Sequence, residues 1–450
     1  MYIWYIEMNS LETITNIIVQ AGGHPYIVGG TSITILSGSE TKDVDIEVFN
    51  ILPNELESKL NEHNIKYTLC GKFSTYKITF DNDDVIYEIA FPRRESRIGL
   101  SHNEFNILID KNLSIFEAAK RRDLTINAIY YDLISKQFID PFNGILDYYN
   151  GILKHIDDNT FIEDPLRVLR IMQLLPRKAK KVHPDTIQLC RNMFYNKEHL
   201  NISKERIFQE FNKMLLSKKP SEGLKFLRES EWIGLFPELQ QLIGVPQNTT
   251  YHPEGDVWEH TLLVVDAMST MSKDLDLLYA ALLHDIGKPS VINKYTFATP
   301  GHEDIGAIIA FDFITNLSNN KKLSINVQNL VKYHMRPLML FGNKSSNTAW
   351  KKLYNLIDLQ KLGILSYADC MGKYDEKRAT DIYNYCISKH NQFFQTYKDN
   401  KIPKLVTGKL LLSLGYKEGK LMGEIIDKCY KLQLNSTITD PLELLKIIEN

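Results

Sequence analysis

Tyr26-Ile-Val-Gly-Gly30, followed after a variable turn and helix by Lys42-Asp43-Val-Asp45-Ile-Glu47-Val-Phe49, is the stretch on which the fold turns. It reads as a hydrophobic strand, a glycine turn and a second strand bearing aspartates. Strand alternation puts Asp43, Asp45 and Glu47 on one face and sends Val44, Ile46 and Val48 into a core. Neighbouring carboxylates repel each other unless a cation sits between them. Mg²⁺ suits such a pair, because it takes one or two carboxylates together with substrate phosphates and keeps water as its other ligands. Gly29 and Gly30, ahead of a helix, would let backbone amides approach a polyphosphate. A glycine pair and an Asp-x-Asp also occur on ordinary solvated strands, so the assignment depends on what lies around them.

Working outward, Leu11–Gln20 has a helical pattern ended by Gly22-Gly23. Beyond the aspartates, a helix over Pro53–Asn61 alternates with strands over Lys66–Leu69, Thr75–Phe80 and Val85–Phe91, with Asn82, Asp83 and Asp84 in a hairpin turn. This pattern predicts a mixed sheet with helices. Glu88 is either a third carboxylate at the metal site or a surface strand residue. A helix predicted from Ser114 to Tyr130 opens with a capping box, Ser114 and Glu117, and carries Arg121, Arg122, Asp123 and Asn127. Arginine pairs triphosphate oxygens bidentately, and Asp123 is an acceptor for ribose hydroxyls. Asp140-Pro-Phe-Asn-Gly144, with Asp147 just beyond, reads as a turn-rich hinge. Glu163-Asp164-Pro165 then starts a helix on which Asp164, Arg167 and Arg170 share a face beside an apolar stripe of Leu166, Leu169 and Met172.

That polar face has a chemical consequence. Cytosine and adenine each present an amino donor beside a ring-nitrogen acceptor, whereas guanine and uracil present a carbonyl beside an N–H. A carboxylate at Asp164 and a guanidinium at Arg167 match C and A and leave both charges unpaired against the other two bases. One bidentate pairing of this kind discriminates by roughly 1–3 kcal/mol. The same two residues would also make an ordinary i, i+3 ion pair.

The pattern is helical from Asp185 to Leu239, with Ser203 and Ser221 as caps, and Phe236 to Pro246 reads as a Pro/Gly-bearing linker. After it come His252-Pro-Glu-Gly-Asp256-Val-Trp-Glu-His260, then Leu282-Leu-His284-Asp285-Ile-Gly-Lys288-Pro, Gly301-His302-Glu303, His334 and Asp369. Adjacent His and Asp, with another His one helix earlier and an Asp expected one or two helices later, make a mixed imidazole and carboxylate site. His260, His284, Asp285 and Asp369 supply four ligands suited to Ni²⁺, Co²⁺ or Mn²⁺. His302 and His334 hold a second ion or contact phosphate, and Lys288 balances phosphate charge. Thr407 to Gly423 and the helix after it read as two short helices joined at Gly415.

The 450 residues suggest about three domains, and 44% hydrophobic with 24% charged residues is ordinary for a globular protein. A net charge of −2 does not advertise a nucleic-acid binder, so RNA contacts must come from patches such as Arg177, Lys178, Lys180 and Lys181, or Lys218 and Lys219. Five widely spaced cysteines, with no Cys-x-x-Cys, point to reduced thiols in a cytoplasm. No stretch has the length of a signal peptide's or membrane span's apolar run.

Taken in order, Gly29-Gly30, Asp43-x-Asp45, Arg121-Arg122-Asp123-x-x-x-Asn127 and Glu163-Asp164-x-x-Arg167-x-x-Arg170 resemble the class II tRNA nucleotidyltransferases and bacterial poly(A) polymerases. The later His260, His284-Asp285 set resembles the HD phosphohydrolase domain appended to many CCA-adding members, so the similarity covers nearly the whole chain. The resemblance implies an α+β chain: a polymerase β-like mixed-sheet head over 1–150, a helical neck and body over 151–245, an HD domain over 246–380 and a helical tail over 381–450. It implies addition of C and A to tRNA from CTP and ATP, with Mg²⁺ on Asp43 and Asp45 and with Gly29, Gly30, Arg121, Arg122, Asp123, Asn127, Asp164, Arg167 and Arg170 at the nucleotide. It also implies a flexible loop over Pro92–His102, and a phosphomonoester or 2′,3′-cyclic phosphate as the HD substrate. The family's Val-Arg-Asp after the glycine pair is Ser32-Ile33-Thr34 here, and a third arginine is Gln173. The alternatives are a poly(A) polymerase, or an HD phosphohydrolase whose degenerate head only binds tRNA or nucleotide.

Overall fold

The structure, a computed structural model, describes residues 8–39, 41–70, 75–81, 84–97, 105–250, 252–373, 375–398 and 401–449. The expected turn residues Asn82 and Asp83, and positions 98–104 of the expected flexible loop, lie outside the described residues. Two compact units make up the chain, Met1–Met214 with Glu222–Leu235, and Leu215–Ser221 with Phe236–Asn450.

In the first unit the first nine strands are β1 (His24–Ile27), β2 (Asp43–Phe49), β3 (Tyr67–Cys70), β4 (Thr75–Thr79), β5 (Ile86–Ala90), β6 (Arg93–Arg97), β7 (Phe105–Ile109), β8 (Tyr130–Asp132) and β9 (Phe138–Ile139), and Ile152–Leu153 pairs with Lys181–Val182 apart from them. Seven of them form one mixed sheet in the order β3-β4-β5-β2-β1-β8-β9, and β6 and β7 form a separate antiparallel ribbon. β2 runs parallel to β5, and its other neighbour, β1, is antiparallel. Strand alternation works as the sequence predicts. Val44, Ile46 and Val48 are fully buried against Ile14, Ile17 and Ile18 of the helix Met8–Gln20 and Leu56 and Leu60 of the helix Pro53–Glu62. Truncating one such side chain to Ala typically costs about 2–5 kcal/mol. The opposite face of β2 therefore stands on a rigid, apolar base.

The helix expected over Ser114–Tyr130 is a correction. Its capping box forms, with Glu117 N donating to Ser114 Oγ (3.2 Å) and Ser114 N donating to Glu117 Oε2 (3.0 Å), but the helix spans only Ile115–Lys120. The chain then turns into a 3₁₀ segment, Thr125–Ala128, and β8. Competing partners end it: Leu124 bridges to His155, Thr125 N donates to Lys154 O (2.9 Å), and Asp123 Oδ1 accepts from Leu124 N and Asn127 Nδ2. Asp123 and Asn127 thus meet across a tight turn. Downstream, Pro165 is the N-cap of the helix Leu166–Lys178, and helices Pro184–Tyr195, Lys204–Leu215 and Ser221–Glu229 fill the stretch expected to be helical.

The second unit is helical. The segment read as a linker is packed: Pro237–Gln240 is a helix, Leu239 and Leu242 are buried, and Gly244 N donates to Asp256 Oδ2 (2.6 Å). Val257–Met271, Leu275–Leu283, His302–Leu317, Lys321–Tyr333 and Leu359–Gly372 carry or adjoin the histidines and aspartates of interest. Asp369 lies on the sixth helix after His284 among the described residues, not on the first or second, because Lys288–Val291, Met335–Gly342 and Asn347–Leu356 intervene with the helices just named. The tail also departs from expectation. Gly408–Ser413 is short, but its partner Lys420–Asn435 has 16 residues, long enough to bury Met422 and Cys429 with Val406, Leu411, Leu444 and Leu445. Among the described residues no helix is long and apolar enough to cross a membrane.

Candidate active sites

In the first unit a cleft of about 590 Å³ opens above β2 and β5. Gly29 begins the helix Gly29–Ser37 with φ +65°, and a Cβ there would stand 3.5 Å from Asp45 Oδ2 and 3.8 Å from Arg122 Nη1. Glycine is therefore needed for the turn, and its missing side chain keeps the carboxylate accessible. Asp45 and Glu88 are register partners on the parallel strands β2 and β5, and both line the cleft. Burial, followed by the charge of Glu88, holds Asp45 above the ordinary carboxylate range. Such a pair is poised for a cation. Glu88 also pairs with Lys77 at 3.2 Å. Asp43 is exposed at the start of β2 and is not among the lining residues.

The nucleotide candidates converge here as well. Gly30, Arg121, Arg122, Asp123, Asn127, Asp164, Arg167 and Arg170 all line the cleft. With Arg93 and Arg206 the lining holds six arginines, so a cavity fit for a polyanion exists despite the chain's net charge of −2. Several of these side chains hold one another in place. Arg122 Nη2 donates to Glu47 Oε2 (2.8 Å), which also accepts from Tyr130 Oη (2.9 Å). Burial opposes the charge on Arg122, but Tyr130 and Glu47 hold its pKa above the ordinary value. Asp123 Oδ2 accepts from Arg170 Nε at 2.6 Å; burial works against this carboxylate, yet Arg170 and Asn127 keep it ionised below the usual range. Arg167 donates to the carbonyls of Thr160 (2.5 Å) and Arg121 (2.7 Å).

Thr31, Tyr130 and Arg206 escaped the sequence reading, and so did the partner of Glu47. Thr31 Oγ1 accepts from Asp45 N (3.2 Å) and donates to Asp43 O, which fastens the helix to β2. Glu47 and Tyr130 anchor Arg122. Arg206 donates bidentately to Asp164, Nη1 to Oδ1 at 3.3 Å and Nη2 to Oδ2 at 2.7 Å. Nothing local to Arg206 marks it, since its partner is 42 residues away. Ser32 and Ile33 are buried and Thr34 Oγ1 donates to Gly30 O, so the substituted triad serves packing and helix geometry.

In the second unit His260, His284, Asp285, His302, His334 and Asp369 form one buried cluster. The Nδ1 atoms of His284, His302 and His334 face the carbonyls of Ala281 (2.9 Å), Thr299 (2.8 Å) and Val331 (2.6 Å). The Nδ1 of His260 lies 2.7 Å from Glu254 Oε1. The carbonyl-bound Nδ1 atoms of His284, His302 and His334 therefore carry the proton and their Nε2 lone pairs point inward, whereas His260 Nδ1 meets Glu254 as an ion-pair contact without hydrogen-bond geometry. Two pairs of Nε2 atoms face each other, His260 with His284 at 3.2 Å and His302 with His334 at 3.3 Å. Two nitrogens about 2.0–2.1 Å from one transition ion stand about 2.8–3.0 Å apart at octahedral and about 3.3–3.4 Å at tetrahedral angles, so the residues fit a metal. Asp285 addresses both pairs: Oδ2 lies 3.2 Å from His284 Nε2 and 3.7 Å from His260 Nε2, and Oδ1 lies 3.3 Å from His302 Nε2 and 3.9 Å from His334 Nε2. Asp369 Oδ1 lies 3.1 Å from His260 Nε2.

Lys288 Nζ reaches Asp285 Oδ2 (2.6 Å) and Gln247 Oε1 (2.6 Å), and Lys373 reaches Asp369 Oδ1 (2.8 Å). Despite burial, the neighbouring imidazoles and lysines hold Asp285 and Asp369 well below the carboxylate range. Gly287 makes the cluster possible, because a Cβ on it would come within 2.2 Å of His302 O. Glu254 and Lys373 were not singled out from sequence, although an acid between His252 and His260 in a Pro/Gly turn was a usable signal.

Comparison with known proteins finds family models on both units. Residues 25–154 match the poly A polymerase head domain, 181–243 the probable RNA and SrmB-binding site of polymerase A, and 257–371 the HD domain. The multifunctional CCA protein of Alkalilimnicola ehrlichii is 30% identical over 338 residues, 74% of this chain and 79% of that protein. That of Neisseria meningitidis serogroup A is 38% identical over 282 residues, 62% of this chain and 65% of the relative. The Bacillus stearothermophilus CCA-adding enzyme, solved in complex with CTP, shares the fold, with a TM-score of 0.70 at 19% identity over 99% of this chain and 98% of that one. The Thermotoga maritima CCA-adding enzyme, solved with tRNA, gives 0.62 at 17% identity over 99% and 95%. With a glycine turn beside paired carboxylates in one unit and a histidine and aspartate cluster in the other, this chain belongs to the family of multifunctional CCA proteins.

Proposed function

We propose that this chain adds C and A to the 3′ end of tRNA from CTP and ATP without a nucleic-acid template, and that its HD half is a metal-dependent phosphohydrolase. The observation that carries the first part is the convergence on one cleft of Gly29, Gly30, Asp45, Arg121, Arg170, Asp164 and Arg167. Mg²⁺ held by Asp43 and Asp45, with Glu88 beside them, would supply charge neutralisation for phosphoryl transfer. The glycine turn offers backbone amides to the triphosphate, and the arginines oppose its charge. The terminal hydroxyl oxygen bonds to the α-phosphorus as the bond to pyrophosphate breaks, and the hydroxyl proton leaves. Asp123 and Asn127, fixed by their mutual bond (2.8 Å) and by Arg170, sit where the ribose is held.

Asp164 reads the amino group of C or A, and Arg167 the ring nitrogen. A carboxylate has about four acceptor sites, so Arg206 can orient Asp164 without saturating it. We assign the head to 1–150, the neck and body to 151–245, the HD domain to 246–380 and the tail to 381–450. The cysteines, free at Cys70, Cys190, Cys370, Cys386 and Cys429, support a cytoplasmic setting. Supplying tRNA that lacks its CCA end with each labelled nucleotide tests the reading. Incorporation of CMP and then AMP is expected; long runs of AMP alone would indicate a poly(A) polymerase, and no incorporation would reduce the head to a binding module.

For the HD half, the donor set fits Ni²⁺, Co²⁺ or Mn²⁺, any of which would lower the pKa of a bound water and polarise a phosphoryl oxygen. The two-sided approach of histidines to Asp285 supports His302 and His334 as ligands of a second ion in preference to phosphate contacts. Lys288, already on Asp285, neutralises the ligand carboxylate. Hydrolysis of a 2′,3′-cyclic nucleotide or a phosphomonoester with added Mn²⁺ or Ni²⁺ is the assay.

A further inference from the structure

Glu47 is the third acid on its face of β2, two residues beyond Asp45, and it lines the same cleft. Position alone would make it another metal carboxylate. Its contacts point elsewhere. Oε2 accepts from Arg122 Nη2 (2.8 Å) and from Tyr130 Oη (2.9 Å), and the side chain is only 12% exposed. Tyr130 is fully buried and lies under the guanidinium, whose Cζ stands 5.3 Å from the ring centre. Longer contacts steer the rest of the fork, Nε donating to Tyr130 Oη and Nη1 to Asn127 O, each at 3.4 Å.

This grip matters because of what stands next to Arg122. Among the described residues, Asp45 Oδ2 and Arg122 Nη1 are the atoms that come within 4 Å of the point where a Cβ on Gly29 would lie, at 3.5 and 3.8 Å. The bare glycine turn therefore leaves a gap between the metal-site carboxylate and a guanidinium. Arginine makes short, charge-assisted pairs with carboxylates, and a guanidinium on Asp45 would occupy the oxygens that a cation needs. Removing one partner of a buried ion pair leaves the other charge uncompensated, so an Arg122 without Glu47 would turn to the neighbouring acid. We propose that Glu47 is a positioning residue of the transfer reaction. It is a decoy carboxylate that holds Arg122 off Asp45, which leaves the aspartate open to Mg²⁺ and keeps Nη1 at the glycine turn, facing the nucleotide's phosphates. Glu47 is then not itself a metal ligand. The inference rests on the transferase reading above and deepens it.

The test compares Glu47→Ala, Glu47→Gln and Glu47→Ala/Arg122→Met in the full chain, each on a His284→Ala parent in which the HD cluster is silenced. Mn²⁺ is titrated without nucleotide or tRNA, and the free ion is read by its electron paramagnetic resonance signal. Loss of an outer partner typically weakens metal binding about 10–100-fold, so Glu47→Ala should raise the Mn²⁺ dissociation constant about tenfold or more. Glu47→Gln keeps an oxygen that accepts from Arg122 and Tyr130, and should stay within a few-fold of the parent. Removing the guanidinium as well, in Glu47→Ala/Arg122→Met, should restore Mn²⁺ binding, because nothing is left to occupy Asp45. In CMP incorporation the Mg²⁺ concentration at half-maximal rate should move in the same order, while KM for CTP stays raised in the double variant. Glu47→Gln as weak as Glu47→Ala, a double variant no better than Glu47→Ala, or unchanged binding in Glu47→Ala each overturns the proposal. Should the alanine variants not fold, Glu47→Gln decides alone, and a tenfold loss of Mn²⁺ affinity overturns it. A parent that incorporates no CMP sinks the transferase reading alone, because the Mn²⁺ titration still decides the role of Glu47.

Discussion

The most informative single perturbation is at Glu254. Its side chain has no solvent exposure, and one oxygen, Oε1, lies 2.8 Å from His252 Nδ1 and 2.7 Å from His260 Nδ1. Burial opposes its charge, but the two imidazoles pull its pKa down to about 2. Glu254→Ala removes the carboxylate that lies against His260 Nδ1 and, as its charge partner, steadies the ring with Nε2 toward Asp369 and the metal side. Loss of such an outer partner typically lowers metal affinity about 10–100-fold, which corresponds to about 1.4–2.8 kcal/mol. Glu254→Gln retains an oxygen but not the charge, so its loss should be only a few-fold. Calorimetric titration of Mn²⁺ or Ni²⁺ into the full chain reads the affinities, with CTP incorporation as the control on an intact head. If Glu254→Ala binds the ion within twofold of wild type and hydrolyses cyclic phosphate normally, then Glu254 does not orient His260.

Asp45→Ala should lower tRNA extension by about a thousandfold or more, several kcal/mol of transition-state stabilisation; extension at a normal rate would show the metal assignment to be wrong. Asp164→Asn with Arg167→Gln converts acceptor to donor and donor to acceptor, and should shift preference toward UTP or GTP by about 1–3 kcal/mol. Unchanged selection of CTP and ATP in single-nucleotide incorporation would remove base reading from this pair. His284→Ala or Asp285→Ala should abolish cyclic phosphate hydrolysis and leave CTP and ATP incorporation within a few-fold. Loss of both activities with circular dichroism intact would refute the independence of the two centres, and a Mn²⁺-soaked crystal without density between His284 and Asp369 would refute the metal site.

Much of this was legible because its causes are local. The alternation of β2 needs only the residues of β2, and the capping box at Ser114 needs only Glu117 three residues on. What escaped has remote causes. The helix after Lys120 stops because Lys154 and His155 offer the backbone other partners, a fact no window around Leu124 contains. Arg206 enters the cleft through the fold and lies in no motif, and Glu47, though visible on the carboxylate face of β2, gains its role from Arg122 75 residues away. The histidines and aspartates were recognisable as ligands by type, yet their pairing on the two oxygens of Asp285 is a property of helix packing.

That packing has a consequence for how the second unit holds together. The donors His260 and Asp369 are 109 residues apart in the chain and 3.1 Å apart in space. An unfolded chain has no site to offer, so an ion bound here acts as a removable staple across several helices, and its binding energy becomes folding energy. At an ion concentration a hundred times Kd the gain is about 2.7 kcal/mol, a sizeable share of the 5–15 kcal/mol that holds a typical domain folded. The supply of metal would then set how long this half of the molecule survives heat or proteolysis as well as how fast it turns over.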